Sequence, residues 1–316
     1  MTVHLVGLGG TISMKETAQG AIPAASAAQL ATWAGGFDGA QDVAVLGGSE
    51  IDFAILEQLV AALDRLVDQG VDGVVVTTGT DSIEEVSAWL SYRAQWPIRV
   101  VVTGSMVTGA RPDSDGPANL ADARAVAADP ALFDPVVVFG GRIYSGREAV
   151  KISGLARDAF DAPGRGPLGI VGNGEVRWHR LPPRGNAYGP PGGPVRPAPI
   201  VVAALGDDGA LLTAAGAAHP AVVVAANGAG NLPPAQAAAA AALIERGVLV
   251  VITTRAADTL VAGRYGYPGG GAALAARGAV LAPGLSPHRA RLLVTLGIAQ
   301  GRDVEGLRAL VVAEAR

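Results

Sequence analysis

Four short stretches set hydroxyls, carboxylates or an ammonium among glycines and other small residues. They are "GGTIS" at residues 9–13, "GGSEID" at 47–52, "TTGTDSIEE" at 77–85 and "GREAVKISG" at 146–154. In the first, Gly9 and Gly10 can serve a tight turn, or they can let the main chain approach a ligand that a side chain would obstruct, leaving the Thr11 hydroxyl exposed. In the third, Asp81 and Glu84 have the spacing of an N-cap and its partner, so a capping box competes with a reading in which Thr80 and Asp81 face a ligand. In the second, Ser49 and Asp52 can cap the helix that follows, whereas Glu50 is not needed for that. Lys151, in the fourth, sits among small and apolar neighbours. Most lysines are solvated, but a desolvated one loses proton affinity and can act as a base. Thr11 taken alone is only a possible nucleophile.

These stretches gain meaning from the elements that must hold them. Apolar runs at 3–7, 43–46, 73–77, 99–103 and 135–139 alternate with helical patterns such as 52–69, where Leu56, Leu59, Val60, Leu63 and Val67 share one face. That alternation is the signature of parallel βαβ units, whose ligands bind beyond the carboxyl ends of strands. The segment 181–199, "LPPRGNAYGPPGGPVRPAP", is too rich in Pro and Gly for a helix or a central strand and reads as a linker. A second α/β run follows, with strands near 200–203, 222–225 and 248–252 and helices near 234–246 and 287–299. The expected organisation is a catalytic α/β domain over 1–180, the linker over 181–199 and a second α/β domain over 200–316.

Composition narrows the chemistry. The 316 residues carry a net charge of -4 with no basic run, which argues against a nucleic-acid surface. Cysteine is absent, excluding disulfides and thiolate nucleophiles. His4, His179, His219 and His288 show no metal-ligand spacing. No apolar stretch is long enough for a membrane span, and the strand that begins within about two residues of Met1 leaves no room for a secretion signal, so a cytoplasmic protein is expected. "GLGGTI" lacks the third glycine of a dinucleotide loop.

Together the stretches resemble one family, the bacterial-type L-asparaginases and their glutaminase relatives. "GGTIS" and "TTGTDSIEE" look like the two family signatures, residues 103–123 with their "DGPANL" core resemble the segment after the fourth strand, and "GAGN" at 228–231 matches a loop of the second domain. The resemblance implies a two-domain α/β amidohydrolase, with a larger N-terminal parallel-sheet domain and a smaller Rossmann-like C-terminal domain, working without a cofactor. It implies a homodimer or homotetramer in which the second domain of one subunit completes the site of another. It assigns the nucleophile to Thr11, proton transfer to Thr80, Asp81 and Lys151, and substrate binding to Gly10, Ser49, Glu50, Thr80, Asp81 and Ser105. The substrate is a small amino-acid amide, L-asparagine first, with glutamine or another amide, or a catalytically impaired amino-acid binder, as alternatives. Glu50 stands where the family most often has glutamine. The family's loop tyrosine is absent, its aligned position being Ala21, and the acid that the neighbouring subunit usually lends is not recognisable in residues 255–270. Asn231, Tyr265 and Tyr267 are the residues of the second domain that could contribute in trans, and a phenol of Tyr265 or Tyr267 could replace the missing tyrosine.

Overall fold

The computed structural model describes residues 1–182 and 184–315, in two compact units, Met1–Gly189 and Pro190–Arg316. The first unit runs β1 (Val3–Gly9), a hairpin of β2 (Met14–Thr17) and β3 (Gly20–Pro23), α1 (Ala27–Ala34), β4 (Gly39–Leu46), α2 (Phe53–Asp68), β5 (Gly73–Thr77), α3 (Ile83–Arg93), β6 (Arg99–Thr103), α4 (Gly116–Ala128) and β7 (Val136–Phe139). It continues with β8 (Arg142–Ser145), β9 (Val150–Lys151), β10 (Phe160–Asp161), β11 (Gly169–Gly172) and β12 (Glu175–Trp178).

The main sheet has the order β12-β11-β8-β7-β6-β5-β1-β4. From β4 to β7 its neighbours are parallel, and β5 is buried along its whole length, as expected of a strand covered on both faces. Leu30 of α1 and Leu120 and Val126 of α4 join Leu5, Val75 and Val101 in one core cluster. Helices α2 and α3 pack on each other through Phe53 against Trp89 and through Glu57, which takes two 3.0 Å bonds from the Arg93 guanidinium and one of 3.0 Å from Trp89 Nε1. The start of α2 is fixed by Asp52, whose carboxylate accepts from Ile55 N at 2.9 Å.

The expected parallel sheet is mixed, because β8, β11 and β12 extend it antiparallel. The cause is turn chemistry: Gly140 and Gly141 between β7 and β8, and Asn173 and Gly174 between β11 and β12, all have positive φ. Two-residue turns of that kind join only antiparallel neighbours. The chain lays β4 on one side of β1 and then returns to lay β5 on the other. Strand order therefore reverses between β1 and β5, the place where open α/β sheets leave a ligand crevice.

The second unit holds β13 (Ile200–Val202), α5 (Ala210–Ala218), β14 (Ala221–Ala226), α6 (Pro234–Glu245), β15 (Leu249–Thr254), α7 (Gly271–Ala276), β16 (Val280–Leu281), α8 (Pro287–Ala299) and α9 (Val304–Glu314). Its strands form a parallel sheet in sequence order, with Val222, Val224, Val250 and Ile252 in the core. Among its described residues the Pro/Gly-rich segment has no helix or strand, and the division between the units falls within it. It is bonded on each side to its own unit. Arg147 donates to the Asn186 carbonyl at 2.9 Å and Tyr188 N to the Tyr92 carbonyl at 2.8 Å, while Gly192 N donates to the Ala299 carbonyl at 2.8 Å. Among the described residues no helix is long and apolar enough to cross a membrane.

Asp122 supplies a stability prediction. It borders a cleft with Ala118, Ala121 and Ala125 of α4 and the turn at Asn173 and Gly174. Burial pushes its carboxyl up from 3.8 to about 6. The folded chain therefore holds the Asp122 proton more tightly than the unfolded chain does. The stabilisation is full below the unfolded value and is lost as pH rises through the folded one. Asp122→Asn is expected to melt above wild type at about pH 8 and with it at about pH 3.5. Melting curves that coincide at both pH values would contradict this.

Candidate active site

Gly9 and Gly10 end β1 with φ of 102° and 84°, a region that favours glycine. A Cβ at Gly10 would lie 2.2 Å from Gly79 N, and one at Gly79 would lie 2.4 Å from Gly48 Cα. The loops after β1, β4 and β5 thus stack main chain on main chain. A side chain at Gly10 would meet the Gly79 main chain, and these glycines bring the Thr11 turn and the Thr80 turn together. The Gly10 N–H donates to the Leu46 carbonyl at 2.7 Å.

Thr11 opens a single 3-10 turn, Thr11–Ser13, which Ser13 closes by donating its hydroxyl to the Gly10 carbonyl at 2.9 Å. The Thr11 side chain is half-buried, and among the described residues nothing hydrogen-bonds its hydroxyl.

The turn after β5 has its own lattice of hydroxyls. Thr78 Oγ1 lies 2.9 Å from Ser82 Oγ, which donates to the Gly79 carbonyl at 3.0 Å. Ser82 is the N-cap residue of α3, and the capping box offered for Asp81 and Glu84 does not form. Both carboxylates turn to Lys151 instead. Lys151 Nζ donates to Asp81 Oδ1 at 2.7 Å and to Thr80 Oγ1 at 2.7 Å, and Lys151 N donates to Glu84 Oε2 at 3.1 Å. For Asp81 the physical reason is that an ammonium offers a carboxylate more than a neutral helix N–H does, whereas Glu84 exchanges one neutral N–H for another, the main-chain amide of Lys151. Thr80 is 5% exposed and the Lys151 side chain 19%, whereas the Asp81 side chain is 71% exposed and open to a ligand.

Ser49 and Glu50 lie on the 3-10 turn Gly48–Glu50 beside Gly79, and both are exposed. Glu50 is not needed to cap α2, which Asp52 caps, but it caps its own 3-10 turn. Its Oε2 accepts from Gly47 N at 2.7 Å, since the turn before α2 has an N-terminus of its own to satisfy. Its other oxygen accepts no hydrogen bond among the described residues.

Ser105 is not brought to this surface. It is fully buried, and its hydroxyl donates to the Val107 carbonyl at 2.7 Å. The surrounding loop is stapled by residues that sequence reasoning noticed only as a motif. Asp115 accepts from Met106 N at 3.0 Å and Val107 N at 2.9 Å, while Asn119 donates to the Gly104 carbonyl at 2.9 Å. The same loop lies against the Thr11 turn, since a Cβ at Gly109 would be 2.3 Å from the Ile12 carbonyl. Ala21, opposite Glu16 in the β2–β3 hairpin, is exposed.

The remaining candidates belong to the second unit. Asn231 follows β14 in a turn closed by 2.9 Å bonds in both directions with Asn227, and its buried Oδ1 has no hydrogen-bond partner among the described residues. Tyr265 and Tyr267 precede α7, are 47% and 51% exposed, and have ring centroids 6.0 Å apart.

The first unit therefore supplies a hydroxyl bonded to a largely buried lysine, the lysine bonded to an exposed acid, and a second hydroxyl on an abutting turn. Residues 2–184 match the family described as "Asparaginase, N-terminal", and residues 199–311 the "Glutaminase/Asparaginase C-terminal domain". The chain is 34% identical over 265 residues to a probable L-asparaginase of Deinococcus radiodurans, an alignment that spans 81% of this chain and 79% of the relative. Its structure resembles that of the thermostable L-asparaginase from Thermococcus kodakarensis, with a TM-score of 0.89, 26% identity and coverage of 100% and 99% of the two chains. It is similar too to a probable cytoplasmic L-asparaginase from Campylobacter jejuni, with a TM-score of 0.86, 25% identity and 99% of both chains covered.

Proposed function

From the premise that this chain belongs to the asparaginase and glutaminase family, we propose that it hydrolyses L-asparagine to L-aspartate and ammonia through a threonine ester. The observation that carries the proposal is Lys151 Nζ, 2.7 Å from both Thr80 Oγ1 and Asp81 Oδ1, on loops that abut the Thr11 turn at the reversal of strand order. In this reading Thr11 Oγ attacks the side-chain amide carbon and its proton passes to the Thr80–Lys151 pair. The carbonyl electron pair moves onto oxygen. Collapse of that oxyanion breaks the C–N bond, the pair returns the proton to the leaving nitrogen, and ammonia departs. Water then adds to the ester carbon by the same route, freeing L-aspartate and the Thr11 hydroxyl.

Substrate charge fits the exposed groups. The α-ammonium is held by Asp81 and the second Glu50 oxygen, and the α-carboxylate by the Ser49 hydroxyl and nearby N–H groups. Ammonia release from L-asparagine, D-asparagine, L-glutamine and small amides lacking an α-amino group tests this. The expected order puts L-asparagine first and the simple amides last. No release from any amide, or simple amides turned over as fast as L-asparagine, would refute it. One observation favours a second reading: the hydroxyl bonded to Lys151 is that of Thr80, so Thr80 is the attacking group if Thr11 is dispensable.

The family premise also supports a homodimer or homotetramer in the cytoplasm, the setting named for the Campylobacter jejuni neighbour. Within that assembly Tyr265 takes the part of the missing loop tyrosine, hydrogen-bonding Thr11 of a neighbouring subunit, with Tyr267 beside it. Tyr265→Phe is expected to lower kcat with assembly unchanged, because it keeps packing and deletes only the hydroxyl. Wild-type turnover in both Tyr265→Phe and Tyr267→Phe would leave activation of Thr11 to water, the main chain or Lys151.

A further inference from the structure

We propose that Glu84 is a positioning residue for the reaction, holding the Lys151 main chain so that Nζ reaches Thr80; the claim rests on the catalytic reading of Lys151 given above. Strand β9 is only 2 residues long and, among the described residues, pairs with the equally short β10 outside the main sheet. Its neighbours are held by main-chain bonds, Ala149 N to the Ser145 carbonyl at 2.9 Å and Ile152 N to the Ala159 carbonyl at 2.8 Å, whereas the Lys151 N–H itself goes to Glu84. The segment that follows is exposed, with Ile152 53% and Leu155 91% open to solvent. A lysine stem has four rotatable bonds, so the position of its ammonium is set by what grips its two ends.

Helix α3 grips both. Just before its N-cap Ser82, Asp81 takes the Nζ tip at 2.7 Å, and in its first turn Glu84 takes the amide of the same residue at 3.1 Å. Helix α3 is itself rigidly seated. Its residues Ile83, Val86, Trp89 and Leu90 are buried, and its C-terminal turn is tied to α2 by the Arg93–Glu57 pair. The carboxylate is half-buried, where a charge-assisted bond to an N–H is stronger than in water. The two acids divide the work: Asp81 is exposed to substrate, whereas Glu84 acts only through Lys151.

The test compares Glu84→Ala, Glu84→Gln and Glu84→Asp in the full chain by steady-state kinetics with L-asparagine and by amide hydrogen exchange at Lys151. Glutamine keeps an acceptor oxygen at the same reach, aspartate keeps the charge but is one methylene short, and alanine keeps neither. Glu84→Ala and Glu84→Asp are expected to lower kcat roughly ten- to a hundred-fold, the penalty typical of a catalytic group displaced by about 1 Å, with KM within about two-fold of wild type. Both should speed exchange at the Lys151 amide, and Glu84→Gln should restore kcat and protection to near wild type. Wild-type kcat and exchange in Glu84→Asp, or a Glu84→Gln as impaired as Glu84→Ala, would overturn the proposal. Should Glu84→Ala fail to fold, the glutamine and aspartate variants decide it alone. A wild-type protein that releases no ammonia would instead sink the catalytic reading itself, while the exchange data still report whether Glu84 clamps the Lys151 amide.

Discussion

Thr11→Ala is expected to abolish ammonia release from L-asparagine, lowering kcat by at least about a thousand-fold, while folding and ligand binding stay close to wild type. In the proposed reaction the substitution removes the attacking oxygen. The fold survives because the Thr11 hydroxyl has no hydrogen-bond partner among the described residues, so its removal orphans no buried group. The turn itself is closed by Ser13 on the Gly10 carbonyl and not by the Thr11 side chain. Thr11→Ser, which keeps the oxygen, should retain part of the turnover. Kinetics and a melting curve for each variant check both statements. Near-normal kcat in Thr11→Ala would transfer the attacking role to Thr80.

Lys151→Met should come second in severity, with kcat down by about a hundred- to ten-thousand-fold, the range ascribed to a single general acid–base group. Methionine keeps much of the apolar stem that is largely buried here and deletes the ammonium bonded to Thr80 Oγ1 and Asp81 Oδ1. The exposed Asp81 carboxylate loses its partner to water at little cost, so the variant should remain soluble and folded. If Thr80 and Lys151 act as one proton-transfer unit, as proposed, Lys151→Met and Thr80→Ala should be strongly non-additive. A double variant whose losses multiply as independent factors would contradict the unit.

The parallel strands and the longer helices were legible in the sequence because each carries one dominant period. The continuous apolar run at 73–77 and the helical spacing over 52–69 had no competing reading, and the structure places β5 at Gly73–Thr77 and α2 at Phe53–Asp68. The antiparallel extension was missed because its strands are short and its signals are turn dipeptides, Gly140-Gly141 and Asn173-Gly174, which a search for βαβ periods passes over. Within the candidate site, spacing along the chain does not give the partners of these residues. Spacing alone offers Asp81 and Glu84 to the N-terminus of α3. What redirects them is Lys151, about 70 positions further along the chain and visible only once it is folded. Gly10 shows the same limit from the other side. The sequence indicates that nothing larger than hydrogen fits there, but only the fold shows that the neighbour is Gly79.

The proposed threonine ester is tested most directly by mixing wild-type protein with L-asparagine, quenching in acid at successive times and mapping the modified peptide by mass spectrometry. The account predicts an aspartyl ester on Thr11, appearing before free aspartate accumulates and shed on dilution into substrate-free buffer. An ester mapped to Thr80, or full turnover with no threonine ester at any quench time, would contradict it.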